Sequence, residues 1–283
     1  KNMKVLVTGG AGFVGTNLIR QLLKDGHSVM SIDNYSNGKR ENEQDGCIYY
    51  NMDIRHLTST DYSMFGDVDI VYHLAGIARI QISFENPKSY FETNSYGTYN
   101  IVDYCTKTNI PLVYAGTSSK HSGKFKNPYT FTKDIGEDII KLHQLHFNLK
   151  ASITRFYNVY GPYQVENGQG TLIGRWLYNL KSDKDCIIYG DGCKRRDFTH
   201  VDDIVDALIR IPQKEAWGYE FELGNGKNHS VNEVAGMFGV EPIYEDNKPG
   251  EAQTTLNTDT LATAILNWRP KINLNDYIKE LKI

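Results

Sequence analysis

The chain has 283 residues, a net charge of −3 and 40% hydrophobic content, enough for one large α/β domain or a domain and a half with a proper core. So balanced a charge excludes the electrostatic footprint of a protein that binds nucleic acid or a membrane surface. Four scattered cysteines, Cys47, Cys105, Cys186 and Cys193, show neither a CxxC pair nor metal spacing, and they read as the reduced thiols of a cytoplasmic protein. The opening KNMKVLVTGG runs directly into a strand rather than a signal-peptide plan, and no run of 18 apolar residues occurs.

In chain order, MKVLVTGG (3–10) is a short β-branched run closed by glycines, which predicts a buried parallel strand. GFVGTNLIRQLLKDG follows with helical apolar spacing and ends on Gly26 as a C-cap. Further strands are expected at 27–33, 47–54, 68–76, 110–119 and 149–161, with helices between them at 86–107 and 129–147. Strand alternating with helix implies a parallel sheet covered on both faces. From about 156 the alternation breaks down, and Gly, Pro and Asp become frequent. Residues 1–155 therefore read as a Rossmann-type doubly wound domain and 156–283 mainly as a smaller C-terminal α/β lobe, with 197–211 returning to the first sheet.

Residues 8–15, TGGAGFVG, form a strand-to-helix turn with glycines at 9, 12 and 15. Gly9 permits the tight turn, Gly12 lets backbone approach a pyrophosphate, and Gly15 lets helix and strand pack closely, with the phosphate on helix N–H donors. Asp33 ends the next strand, where an acid hydrogen-bonds ribose hydroxyls and repels a 2′-phosphate, favouring NAD over NADP. Asp53 ends another strand and reads either as a turn carboxylate or as a contact to the adenine amino group, with Ile54 adding an apolar or backbone contact.

Tyr129 and Lys133 stand four apart at the start of a predicted helix, so they share a face. An ammonium beside a phenol lowers the phenol's pKa and makes a general base near neutral pH. Without a nicotinamide site nearby, the same pair is more often structural.

With TGGAGFVG, Asp33 and YTFTK in order, the sequence resembles the extended short-chain dehydrogenase/reductases, and within them the NAD-dependent nucleotide-sugar epimerase/dehydratase family. The likeness spans almost the whole chain and includes HLAG (73–76), Asn94, Gly97 and Thr98, RFYNVYGP (155–162) and IIYGDGCKRRDFTHVDDIVDAL (187–208). It implies that NAD is held by Gly9, Gly12, Phe13, Val14 and Gly15 of the turn, by Asp33 and Asn34, and by Asp53 and Ile54. Leu74, Ala75, Tyr129 and Lys133 complete that cofactor set. Ser118 matches the catalytic Ser/Thr, Tyr129 the proton-transferring tyrosine and Lys133 its partner. For the substrate it implies Ser118, Tyr129 and Asn158 at the sugar and diphosphate, Arg196 as a planar diphosphate clamp, and Tyr189 near the nucleobase. Lys248, in KPGE, stands where a second phosphate-binding Arg is usual.

Two departures bear on the reaction. Ser122–Gly123 replaces the usual Tyr–Gly, and the link from Ser118 to Tyr129 is short. Ser119 and Lys120 stand where a 4,6-dehydratase of the family places an Asp–Glu pair, and Lys120 also argues against a decarboxylase. The resemblance thus implies C4 epimerisation of a UDP-hexose, of the UDP-glucose/UDP-galactose type, through a 4-keto sugar. A dehydratase, decarboxylase or reductase of the same family is the alternative within the class, and a non-enzymatic NAD-sensing regulator the alternative outside it. Thr255 falls where bulk on the sugar 2-substituent is gated, leaving room for N-acetylated sugars. A homodimer through the helices at 93–107 and 129–147 is also implied. His121 reads as a loop bystander or an extra acid/base, His143 and His146 as helix surface with no third metal ligand, and His73 as structural.

Overall fold

Seven parallel strands form the central sheet in the computed structural model, which describes residues 1–281. The first six are β1 (Lys4–Thr8), β2 (Ser28–Asp33), β3 (Cys47–Asn51), β4 (Ile70–His73), β5 (Leu112–Thr117) and β6 (Ala151–Phe156). Their order is β3-β2-β1-β4-β5-β6, followed by an edge strand at Glu220–Leu223. The architecture is Rossmann-like, with helices on both faces. Val5, Leu6 and Val7 of β1 are fully buried between two separate apolar cores, as a central parallel strand requires. One core packs α1 (Phe13–Lys24) and the Val201–Gln213 helix against the sheet, and the other packs the Thr98–Thr108 and Pro128–Phe147 helices.

The strand order reverses between β1 and β4, and their C-terminal ends part there, which opens the crevice where open α/β sheets bind ligands. A third apolar core, around Tyr160, Ile173, Trp176, Val234 and Ile278, belongs to the C-terminal lobe. The return to the sheet runs further than the sequence pattern announces: besides the Val201–Gln213 helix it includes the edge strand, which pairs with β6 at Glu220↔Ile153 through Leu223↔Phe156. The expected strand over 149–161 is divided at Asn158, whose φ of +31° breaks the extended run, and Val159–Tyr160 pairs instead with Thr199–His200. The expected helix over 86–107 is a short turn at Pro87–Tyr90, a π-helical stretch over Phe91–Gly97, and a regular helix from Thr98. Ile54 packs against Gly97 there, leaving no room for a side chain. No helix among the described residues is long and apolar enough to cross a membrane.

Candidate active site

The glycine turn has the geometry that its chemistry needs. Gly9 adopts φ +75°, and a Cβ there would lie 2.8 Å from the Ala75 nitrogen; one on Gly15 would strike the Gly9 carbonyl. At Gly12 the nearest atom to such a Cβ is the Gly9 oxygen at 3.3 Å, so this backbone faces open space. Phe13 and Val14 begin α1 directly above it. Asp33 is buried and accepts from the Ala11 N–H at 3.0 Å and the Tyr35 N–H at 2.8 Å. A carboxylate has about four acceptor directions, so capacity remains for two ribose hydroxyls, and the residues present fit an adenosine ribose. Asp53 is more fully engaged: Arg55 grips it through Nε, Nη2 and the backbone N–H, and Asn34 Nδ2 donates to it at 3.0 Å. Those hydrogen bonds hold its carboxyl well below the usual range, and an adenine amino group there would share the carboxylate with Arg55. The Leu74 and Ala75 N–H groups both donate to Thr8 Oγ1 at 3.1 Å, closing the β4 end onto the β1 end. His73 bridges Thr8 and Thr98 at 2.6 and 2.9 Å, and burial keeps it neutral, its pKa falling to about 3.

At the end of β5 the chain enters a 3₁₀ turn over Ser118–Ser122. Thr117 caps this turn, its Oγ1 accepting the Ser119 N–H at 3.2 Å and donating to Ser119 Oγ at 3.0 Å, and its hydroxyl lines the cavity with Tyr129 and pulls that phenol's pKa down against the larger effect of burial. Thr117, one residue before Ser118, thus brings a second hydroxyl to the tyrosine's end of the cavity. Ser118 lines the same cavity. Nothing in the sequence pattern singles out Thr117 beside Ser118, and both hydroxyls face the same cavity. After either hydroxyl the next two positions carry no acid.

The shortness of the link to Tyr129 has a physical account. Lys120 turns away from the cavity and binds Asp134 and Glu137, each at 2.7 Å, while Lys124 reaches Asp134 at 3.0 Å and Asp138 at 3.1 Å. Both lysines reel the turn onto the 128–147 helix. Gly123 reverses the chain at φ +128°, and Asn127 caps the helix by accepting the Thr130 N–H at 2.7 Å ahead of Pro128 at its first position. Behind this turn Arg155, with Nε and Nη2 on Glu137 at 2.9 and 2.7 Å, also binds Glu222 at 3.0 Å and Glu220 at 2.5 Å. His121 joins the same network through Nε2 to Glu222 at 2.5 Å.

Tyr129 and Lys133 share a helix face, and the lysine's ammonium is held by a backbone carbonyl. Lys133 Nζ donates to the Ala115 carbonyl at 2.5 Å and lies 4.7 Å from the centre of the Tyr114 ring. Burial lowers its pKa to about 8, against a smaller opposing pull from Glu137. Burial also raises the Tyr129 pKa, and the groups that oppose it are Thr117 and the charge of Arg79. Burial thus sets the direction at both groups, and the ammonium is held by the Ala115 carbonyl.

Phe13, Ser118, Tyr129, Asn158, Tyr189, Arg196 and Lys248 line one cavity of about 650 Å³ between the sheet edge and the lobe. Asp33, Asn34, Asp53 and Ile54 lie outside it, towards β2 and β3. Arg196 is partly engaged, donating to the Arg195 carbonyl at 2.8 Å and lying 3.7 Å from Glu251, and burial lowers its pKa. Tyr189 has Lys248 Nζ 3.6 Å from its ring centre and the Arg175 guanidinium at 5.3 Å. Asn158 Oδ1 accepts from Thr255 at 2.9 Å, which ties both to the cavity wall. Across the mouth, Gln81 donates to the Pro249 carbonyl at 2.8 Å, joining the KPGE turn to the segment after β4. Two further cationic residues here carry no recognisable sequence signal: Arg79 and Arg175.

Residues 5–224 match the NAD dependent epimerase/dehydratase family, and the chain belongs to it. It is 30% identical over 298 residues to a putative UDP-glucose 4-epimerase of Methanocaldococcus jannaschii, covering 98% of this chain and 96% of that one. It is 28% identical over 253 residues to a UDP-N-acetyl-α-D-glucosaminuronate decarboxylase of Bacillus cytotoxicus, covering 82% and 78%. Among solved structures, the UDP-glucose 4-epimerase of Thermotoga maritima with UDP-glucose superposes with a TM-score of 0.90 at 27% identity, covering 98% of this chain and 96% of that one. The protein is an enzyme of this NAD-dependent family, and NAD is its cofactor.

Proposed function

We propose that the enzyme epimerises a UDP-hexopyranose at C4 through a transient 4-keto sugar. The observation that carries this reading is one cavity holding Tyr129, Thr117 and Ser118 together with Arg196, Lys248 and Tyr189, while Ser119 and Lys120 follow Ser118 without an acid. Tyr129 takes the proton of the 4-hydroxyl and returns it, with the Thr117 and Ser118 hydroxyls at the same end of the cavity. Bound NAD supplies a hydride acceptor and donor at C4. Lys133 orients the phenol's surroundings and raises the local positive potential. Arg196 and Lys248 hold the diphosphate, Asn158 donates to it through its free amide nitrogen, and Tyr189 sits against the base.

Dehydration needs a carboxylic acid beside the sugar C5–C6 bond, and Lys120, at the expected acid position, is turned into the ion-pair network instead. Exposed Tyr96, Tyr99, Leu142, Leu145 and Phe147 on two neighbouring helices support a homodimer built on that face, and four free thiols support a cytoplasmic location. The test is a chromatographic assay of UDP-sugars with the NAD-loaded enzyme, UDP-glucose and UDP-galactose first. Interconversion without added NAD, lost at least ~100-fold in Tyr129→Phe, is expected. Full activity of Tyr129→Phe, or net NADH release with a keto product, would end this reading.

A further inference from the structure

We infer that the enzyme selects a sugar nucleotide whose hexose carries a carboxylate at C6, and that Arg79 is the residue that reads it. This rests on the C4 chemistry proposed above, because it takes Tyr129 to mark the position of C4.

Arg79 lines the catalytic cavity and stands at φ +113°, ψ 111°. That region suits glycine and strains any side-chain-bearing residue. The conformation is enforced from outside: Tyr90 Oη donates to the Arg79 carbonyl at 2.9 Å and to the Ala78 carbonyl at 3.1 Å, and the Ser83 N–H donates to the Arg79 carbonyl at 3.2 Å. A strained backbone clamped in this way aims its side chain, and strain of this kind gathers where a ligand is held.

The guanidinium so aimed has no carboxylate partner among the described residues. The titratable groups acting on it are Tyr90, Tyr129 and Arg175, and its own burial disfavours its charge. Arg175 is a second cation in the cavity, with a buried Nε that has no partner. The walls carry six cationic residues, Arg79, Lys126, Arg175, Lys194, Arg196 and Lys248, against Glu85 and Glu251. Glu251 is already shared by Lys194 and Arg196, and Glu85 pairs with neither arginine. A nucleoside diphosphate brings two negative charges, so the excess calls for another anion.

Position decides which anion. The Arg79 carbonyl accepts from Tyr90 at 2.9 Å, and the Tyr90 ring centre is 6.5 Å from that of Tyr129. Arg79 therefore leaves the backbone at the proton-transfer end of the cavity, whereas Lys248 and Arg175 flank Tyr189. In a hexopyranose the carbon next to C4 on the ring-oxygen side is C5, which bears C6. A planar guanidinium near the 4-hydroxyl acceptor meets a C6 carboxylate in bidentate fashion, and with a neutral CH₂OH it has only one weak acceptor.

The experiment compares UDP-glucuronic acid, UDP-glucose and UDP with the NAD-loaded native chain and with Arg79→Gln, Arg79→Lys and Arg79→Gly, measuring both turnover and calorimetric binding. The native chain is expected to prefer UDP-glucuronic acid by at least ~10-fold in kcat/KM. Arg79→Gln should lose ~10–100-fold on the uronate, the range of a charge-assisted pair, with a several-fold smaller loss on UDP-glucose, which needs Arg79 only for the phenol, and none in UDP binding. Arg79→Lys should recover part of the loss. Arg79→Gly should lose uronate preference while melting no lower than the native chain, since glycine suits a φ of +113°, which separates loss of the guanidinium from loss of folding. Equal losses on UDP-glucuronic acid, UDP-glucose and UDP would place Arg79 on the diphosphate and overturn the inference, as would unchanged uronate kinetics. Arg79-dependent uronate binding without 4-epimer formation would retain the inference and refute the epimerase reading.

Discussion

Replacing Glu137 by Gln tests the ion-pair network that holds the catalytic turn. Glu137 is 1% exposed and takes Arg155 through two bonds, at 2.9 and 2.7 Å, and Lys120 at 2.7 Å. Glutamine keeps the volume but removes the charge and turns an amide donor towards one of the two cations. Removing one partner of a buried pair costs about 3–5 kcal/mol. Arg155 retains Glu222 and Glu220, and Lys120 retains Asp134, so the loss belongs at the low end, about 3 kcal/mol. At about 2–4 °C per kcal/mol for a chain of this class, the midpoint of thermal unfolding should fall by roughly 6–12 °C. Urea melts of native and variant chains at equal, saturating NAD would measure it directly. Glu137→Gln combined with Lys120→Met should recover part of the loss, because it removes one of the two orphaned cations. A change below about 1 kcal/mol would mean that desolvation of the carboxylate cancels its attraction to both cations, and the bracing role would be abandoned. The network also reaches the chemistry: a Cβ at Gly116 would lie 2.7 Å from Glu137 Oε1, and Thr117 is the next residue.

The remaining predictions concern the charge of Lys133 and the cofactor turn. With Lys133 depressed from 10.5 to about 8 by burial, the unfolded chain binds the extra proton between those values, so this group adds stability as pH rises from 8 towards 10.5 and withholds it below 8. At 1.36 kcal/mol per pKa unit the swing is about 3 kcal/mol. The stability of the native chain relative to Lys133→Met, in urea melts at pH 7 and 10.5, should move in favour of the native chain by that order, and no movement would refute the buried ammonium. Gly15→Ala drives a methyl into the Gly9 carbonyl and should abolish copurification of NAD, read from the absorbance of the protein as isolated, even if the chain still folds.

Much of this site is legible in the sequence because its parts are local. TGGAGFVG between an apolar strand and an amphipathic helix specifies a phosphate-facing turn, and Asp33 ends the next strand, buried in its turn. Tyr129 and Lys133 share a face because four residues make about one helical turn. The edge strand Glu220–Leu223 is less legible, since four residues of alternating charge and apolarity only make sense once β6 and the charges of Arg155 are beside them. Thr117 is less legible, because hydroxyls at 117, 118, 119 and 122 look alike until a turn cap and a cavity wall distinguish them. Arg79 has no motif at all. Its role depends on a backbone angle imposed by Tyr90, eleven residues later.

The lysine and the arginine divide the electrostatic work in a way that sequence spacing does not convey. A phenol buried beneath the sheet edge resists ionisation, and Lys133, the helix partner, is itself partly discharged by burial and turned to the Ala115 carbonyl. Arg79 does not lose its proton at any ordinary pH, and it is the charge that lowers the Tyr129 pKa across the cavity. A cation that both eases phenol ionisation and meets the substrate's carboxylate couples the two: a bound uronate neutralises Arg79 and removes part of that help. The pH dependence of kcat/KM, which reports the free enzyme, should therefore show Tyr129 ionising at lower pH than the pH dependence of kcat with the acidic sugar. With UDP-glucose the two profiles should coincide, and in Arg79→Gln the difference between sugars should vanish. A difference that persisted without Arg79 would locate the coupling elsewhere in the cavity.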